Sequence, residues 1–306
     1  MRLKRLVTPP VGPAARALVV GEVLWDVFPD AARLGGAALN FAAHFKRLGH
    51  APQLLSAVGD DAFGHDAFRA IEALGLDTAF LQTLPELATG RAQVTMRPGG
   101  DVSFSIVRPA AYDGVELSHA QMQKLERWNP AWIYYGTLFP SRQPAKRLLT
   151  RVLDALPDSR RFYDVNLRAG FDAPALVDEL LRAADVVKLN EQELQFAHEH
   201  LNLPADAEGF CREGSRRYGW QAACVTFGGD GCAIAAGGDY VIAPGCAITV
   251  ADSVGAGDAF SAALLHGLIA QWPAATIAGF ANRIGALIAS RSGAIPEWTP
   301  EELMPR

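Results

Sequence analysis

The chain has 306 residues, 50% of them hydrophobic and 20% charged, with a formal net charge of −5. That composition excludes a disordered or fibrous chain, and with no basic run beyond the scattered Arg212, Arg216 and Arg217 it leaves no footprint for nucleic acid. A chain this long buries roughly three quarters of its unfolded surface and needs no staple. Its four cysteines, Cys211, Cys224, Cys232 and Cys246, form no C-x-x-C pair, so free thiols in a reducing, cytoplasmic compartment are expected.

The N-terminus, MRLKRLVTPPVGPAARALVVGE, starts basic, but prolines interrupt its apolar part. It lacks the continuous apolar region of a signal peptide, and residues 1–15 are expected to be a loose extension. No run of about 18 apolar residues occurs, so no membrane span is expected. The first strand signal is ALVVGEVLWDVF at 17–28. After the Gly35-Gly36 loop, a helix is predicted from Ala37 to Leu48, stopped at Gly49. PQLLSAVGDD reads as a strand and AFGHDAFRAIEALGL as a helix closed by Gly75. Strand then helix, repeated, implies a mostly parallel sheet.

Residues 88–112 break this rhythm. RAQVTMRPGGDVSFSIVR alternates apolar and polar on both sides of Pro98-Gly99-Gly100-Asp101, the pattern of a hairpin. With 22–34 it is expected to form a small sheet, a lid over a site or a contact between copies. The βα rhythm then resumes. Strands are predicted in AWIYYGTLF, RRFYDVNLR and DVVKLNEQEL, with helices at 141–156, 173–184 and 205–218 and one after DVVKLN. QAACVTFGGDGCAIAAGGDYVIAP gives two or three short strands. Two helices at about 258–270 and 275–290 are apolar nearly all round and should be buried. No repeat or linker appears, so 1–306 is read as one α/β domain.

Ligands of open parallel sheets bind beyond the carboxyl ends of the strands. The residues just after each strand are Glu22 and Asp26, Gly36 to Asn40, Asp60-Asp61, Asp164 with Asn166 and Arg168, Asn190 with Glu193, Gly228 to Gly231, and Asp252 to Asp258. A sheet with only a structural role needs no such rim. In ADSVGAGDAF, Gly255 and Gly257 let the backbone turn and approach a ligand, and the apolar helix behind them starts with unpaired N–H groups, an anion site. Asp258 there is expected to be ionised, with a lowered pKa, and able to take a hydroxyl proton. Taken alone the segment leans to an Asp cap with a glycine turn. Its agreement with the other strand-end motifs favours the base. Phe260 breaks G-x-G-x-x-G, and the P-loop, H-E-x-x-H and G-x-S-x-G motifs are all missing. The histidines show no metal-ligand spacing.

DSVGAGDAFSAALLHGL resembles the C-terminal signature of the ribokinase-like (PfkB) carbohydrate kinases. GGAALNFAAHFKRLG followed by GDDAFG is similar to their N-terminal signature. The resemblance runs from about residue 17 to 297. It implies a three-layer α/β sandwich with a β lid, often shared between two subunits, and ATP-dependent phosphorylation of a sugar's primary hydroxyl. Asp258 would be the base, and the N–H groups of Gly255, Ala256, Gly257 and Asp258 the anion hole. Asp26, Gly36 and Asn40 would hold sugar hydroxyls, with Asn166, Arg168 and Arg108 nearby. Asn190 and Glu193 match N-x-x-E, which organises Mg2+ and phosphate through water. Thr226, Gly228 and Gly231 would line the nucleotide phosphates and ribose, and Asn282 the adenine. Asp252, with carbonyls near Val254, Ile288, Arg291 and Gly293, matches the monovalent-cation site of members that use K+. GEVLWDVFPD and SIVRPAAYD resemble the fructokinase branch, while Val165 in the usual D-P-N and the bulky Ala37-Ala38-Leu39 leave ribose, 2-keto-3-deoxygluconate and nucleosides open. A non-catalytic sugar or nucleotide sensor is the contrasting class.

Overall fold

The computed structural model describes residues 14–96 and 102–303. In chain order they form β1 (Arg16–Val20), β2 (Leu24–Val27), β3 (Ala32–Gly35), α1 (Ala37–Arg47), β4 (Ala51–Gly59), α2 (Ala62–Ala73), β5 (Leu81–Leu84), β6 (Gly90–Met96) and β7 (Val102–Val107). There follow α3 (His119–Trp128), β8 (Trp132–Gly136), α4 (Gln143–Ala155), β9 (Arg160–Asp164), α5 (Pro174–Ala183), β10 (Val186–Asn190) and α6 (Glu191–Leu201). The last are α7 (Ala207–Tyr218), β11 (Ala222–Thr226), β12 (Gly231–Ala236), β13 (Asp239–Pro244), α8 (Ala256–Ile269) and α9 (Ala274–Ala289).

Nine strands make the main sheet, in the order β13-β12-β11-β10-β9-β8-β1-β4-β5. It is parallel except where β12 pairs antiparallel with β11 and β13. Both faces are covered, as a parallel sheet requires. Alternation along β1 shows it: Ala17 and Val19 join the core under α1, α2, α8 and α9, while Leu18 and Val20 join the core under α3 to α7. The α8 helix is buried as its sequence predicts, whereas α9 keeps a partly exposed face.

The second sheet is small, in the order β3-β2-β6-β7. The predicted hairpin is present, with Met96 opposite Val102. Its Pro98–Asp101 turn lies outside the described residues, as does most of the expected 1–15 extension. The single strand signal at 17–28 divides into β1 and β2, which serve different sheets. The chain breaks at Gly21, where a Cβ would come 2.6 Å from the Cβ of Ala38. Two elements gave no sequence signal. β5 has four residues, and α3 buries only Met122 and Leu125. All four cysteines are free.

Candidate active site

Two helix starts meet above the carboxyl ends of the main sheet. At α1, Gly36 takes φ +108°, and a Cβ there would lie 2.5 Å from the Glu22 carbonyl oxygen. Glu22 closes the turn by accepting the Ala37 N–H at 2.9 Å. One turn on, the Asn40 amide donates to Asp258 Oδ2 at 2.8 Å. At α8, Gly255 takes φ +80° and no side chain caps the helix. Asp258 is therefore not the cap. It sits in the first turn and faces Asn40, and Gly255, Gly257 and Asp258 line one cavity. The Ala256 N–H bonds to the Ser253 carbonyl at 3.3 Å, so it is engaged within the turn.

Behind Asp258 lies a buried polar cluster. Asp164 accepts from Lys188 Nζ at 3.1 Å, Tyr134 Oη at 3.2 Å and Ser261 Oγ at 2.7 Å. Burial opposes the Lys188 charge, but Asp164, Glu193 and Asp258 outweigh it and hold its pKa above the ordinary value. Lys188 lines the cavity, and a Cβ on Gly257 would sit 3.4 Å from its Nζ. Sequence reasoning missed this residue. A lysine inside the apolar DVVKLN strand was the available signal, because buried lysines occur only when paired.

The expected low pKa of Asp258 is corrected by this cluster. Burial, and then the Asp164 charge, push it up to about 7, against the pull of Asn40, Lys188 and Arg168. Neither burial nor the like charge of Asp164 at the end of β9 is visible in the helix terminus itself. Asp26 is pushed up to about 6 by burial, with Arg168 opposing and Asp252 adding.

The cavity has a volume of about 460 Å3, and the small sheet contributes Leu24, Asp26, Ala92 and Ile106 to its wall. It brings together Asp26, Gly36, Asn40, Asn166, Arg168, Asn190, Thr226, Gly228, Val254, Gly255, Gly257 and Asp258. Asn166 has φ +40° and accepts from Arg168 at 2.5 Å. Asn40 Oδ1 is buried without a hydrogen-bond partner, and a ligand hydroxyl is the donor type that satisfies it. A second cavity of about 230 Å3 shares Thr226, Gly228 and Gly257, and adds Gly231, Ala256, Phe260 and Asn282. Asn282 donates to the Ala243 and Pro244 carbonyls, tying α9 to the end of β13. Two cavities meeting at an uncapped helix start suit group transfer between two ligands.

Other expected residues lie elsewhere. Arg108 lines neither cavity; it is bound to Asp113, the Leu138 carbonyl and Ser141. Asp61 caps α2, and Asp60 pairs with His65. Glu193 is 4% exposed, and both its oxygens accept backbone N–H groups, from Leu167 at 2.7 Å and Asn190 at 2.8 Å. It is a capping acid for α6 rather than a group open to a metal's water. Among the described residues no cluster of three or more His, Cys, Asp or Glu could hold a metal. The set fits a Mg2+ carried on phosphates and water, with Asn190 at the cavity, and does not fit a protein cage. The monovalent-cation set fits poorly. Asp252 accepts from Val254 N–H at 3.1 Å, Gly293 N–H at 3.1 Å and the Arg33 guanidinium at 2.9 Å. The Ile288 carbonyl accepts the Arg291 N–H at 3.0 Å. Asp252 thus already has its positive partner.

The class is set by the sheet order, the small second sheet and the paired cavities, and the fold is ribokinase-like. Residues 21–301 match the family described as pfkB family carbohydrate kinase, and the chain belongs to that family. It is 28% identical to a fructokinase of Escherichia coli over 302 residues, 92% of this chain and 95% of the relative. The crystal structure of a fructokinase from Vibrio cholerae in a fructose, ADP and calcium ion bound form is similar with a TM-score of 0.79 and 25% identity, over 94% of this chain and 97% of that one. A Xylella fastidiosa fructokinase structure with bound ATP has a TM-score of 0.81 at 23% identity, over 94% of this chain and 96% of that one, a likeness of fold. No helix among the described residues is long and apolar enough to cross a membrane.

Proposed function

We propose that the protein transfers the γ-phosphoryl group of ATP to a primary hydroxyl of a sugar, with fructose as the substrate. The observation that carries this reading is Asp258, held by Asn40 in the first turn of an uncapped helix where two cavities meet. The sugar lies in the larger cavity against Asp26, Asn40, Asn166 and Arg168. ATP extends from Gly257 along Thr226 and Gly228 toward Asn282. The sugar oxygen attacks the γ-phosphorus, the bond to the β-phosphate oxygen breaks, and ADP leaves. Asp258 takes the hydroxyl proton and later returns it to water. The α8 N-terminus and Lys188 hold the charge on the transferring group, since phosphoryl transfer depends mainly on positioning and electrostatics. Mg2+, when bound, neutralises the ATP phosphates. The small sheet acts as a lid that excludes water and limits wasteful ATP hydrolysis.

The likeness to named fructokinases supports fructose. One observation favours a second substrate: the Arg168 guanidinium lines the sugar cavity, which suits a carboxylate-bearing sugar such as 2-keto-3-deoxygluconate. ADP release measured with fructose, ribose, 2-keto-3-deoxygluconate and a nucleoside decides between them. Fructose is expected to give the highest kcat/KM. Release with none of them, alongside measurable sugar binding, would replace the kinase reading by a sensor.

A further inference from the structure

His44 lines neither cavity, and nothing in the chemistry above uses it. It is fully buried on α1, one turn beyond Asn40, and Arg47 follows one turn later. Residues at this spacing share a helix face. Asn40 reaches Asp258. The other two reach the C-terminal segment: His44 Nε2 lies 3.0 Å from the Ala294 carbonyl oxygen, and Arg47 donates to the Pro296 carbonyl. The Trp298 indole N–H closes the arrangement on His44 Nδ1 at 3.1 Å.

These partners determine the ring's protonation. An indole N–H can only donate and a carbonyl can only accept. Nδ1 must therefore carry the lone pair and Nε2 the proton, in a neutral imidazole. Burial agrees, pushing the His44 pKa down to about 4.

The Ala294 carbonyl held by His44 is the group against which Gly255 rests. A Cβ on Gly255 would be 2.5 Å from that oxygen and 2.7 Å from the Ala294 Cα. On the other side Gly293 N–H is anchored on Asp252, whose second oxygen binds Val254 N–H. The start of α8 is thus seated on residues 293–294, and those residues are fixed to α1.

We propose that His44 is a positioning residue for phosphoryl transfer: in its Nε2–H tautomer, set by Trp298, it fixes the Ala294 carbonyl and through it the placement of Gly255 and the anion-binding start of α8. One helix then references both halves of the chemistry. Asn40 orients the base, and His44, one turn on, sets the N–H groups facing the transferring group. The inference rests on the kinase reading for its turnover measurements only.

The test uses His44→Leu, His44→Gln and Trp298→Phe in the full-length protein, assayed well below each variant's melting temperature. His44→Leu removes both bonds and is expected to lower kcat by about 10- to 100-fold, because small displacements of preorganised donors are costly. The sugar KM is expected to stay within about twofold, since Asn40 and the sugar cavity are untouched. His44→Gln keeps a donor at similar reach and restores most of kcat. Trp298→Phe removes only the group that selects the tautomer. Its imidazole 15N signals should shift from a single Nε2–H form toward a mixture, with kcat falling several-fold. A folded His44→Leu with wild-type kcat overturns the proposal, as does a Trp298→Phe protein whose 15N pattern and kcat are unchanged. If His44→Leu does not fold, the other two variants decide. If wild-type protein turns over no sugar, the kinase reading fails on its own. Calorimetry with Mg2+ and the ATP analogue AMP-PNP then decides the positioning role. Weaker binding by Trp298→Phe and His44→Gln, in that order, supports it, and equal affinity overturns it.

Discussion

Two helices in this protein begin on nearly the same letters. Gly59-Asp60-Asp61-Ala62-Phe63 opens α2, and Gly257-Asp258-Ala259-Phe260 lies at the start of α8. At α2 the aspartate is a cap. Asp61 accepts from Gly64 N–H at 2.8 Å, Thr89 N–H at 2.9 Å and Thr89 Oγ1 at 2.6 Å. Burial works against its charge, but the Thr89 and Gly64 bonds outweigh it and hold its pKa below the ordinary value. At α8 the cap position is Gly255, no side chain fills the turn, and Asp258 is pushed up to about 7. A satisfied carboxylate is a poor base. One raised toward neutrality, beside N–H groups that no side chain caps, is prepared for a proton and an anion. The difference is one of position: Asp61 precedes its helix and bends back onto it, whereas Asp258 is inside the first turn and accepts from Asn40 of α1.

Exchanging the carboxylates for neutral groups tests this contrast most severely. Asp258→Asn is expected to lower kcat by about a thousandfold, read as ADP release. It should also raise the melting temperature at pH 8, because it removes a charge held against burial and Asp164. Asp61→Ala should do the reverse. Turnover survives, while stability drops by about 1–3 kcal/mol through the lost cap and the unpaired Thr89 N–H. A near-normal kcat in Asp258→Asn would falsify its assignment as base.

The pH profile sharpens the contrast further. The base works only when ionised, so kcat/KM should rise about tenfold per pH unit below the Asp258 pKa, near 7, and level off above it. The stability terms have opposite signs. For Asp258 the native state keeps a proton that the unfolded chain loses, between the ordinary value of 3.8 and about 7, so its contribution falls as pH rises through that window. For Asp61 the folded pKa is lowered. Its contribution is present above 3.8 and is lost as pH falls below it. Denaturant melts of Asp258→Asn and wild type from pH 4 to 8 should converge at the acid end. Parallel curves would overturn the raised pKa of Asp258, from burial and from Asp164 alike.

The two starts also show what a sequence can carry. The βα rhythm, the strand-end rim and the G-A-G-D segment were legible because each is local: a few residues set the turn, the period and the polarity. The pKa of Asp258 was not, since it depends first on burial and then on Asp164, 94 positions away, and only the packed fold sets both. Arg33 and Asp252 are separated by 219 positions, and no local pattern joins them. Arg108 is a different kind of miss. Its partner Asp113 is five residues on, in RPAAYD, and that spacing was as visible as the resemblance that placed it near the sugar.

The smallest expected effect belongs to a third aspartate near α8. Asp252 is paired with Arg33, from β3 of the small sheet. The guanidinium is 46% exposed and lies over the Phe28 ring at 5.1 Å. Exposed pairs contribute less than about 1 kcal/mol, so Arg33→Ala should barely move the melting temperature. Its effect should appear instead where the small sheet meets the site: a sugar KM raised about two- to threefold at low salt, converging with wild type near 0.5 M salt as the pair is screened. Asp61→Ala offers the control, because its bonds to Thr89 and Gly64 do not depend on a cation and its stability loss should persist in salt. If the Arg33→Ala change in KM is the same at both salt concentrations, the contact acts by packing on Phe28 and not by charge. If KM never changes, the small sheet reaches its working position without this pair.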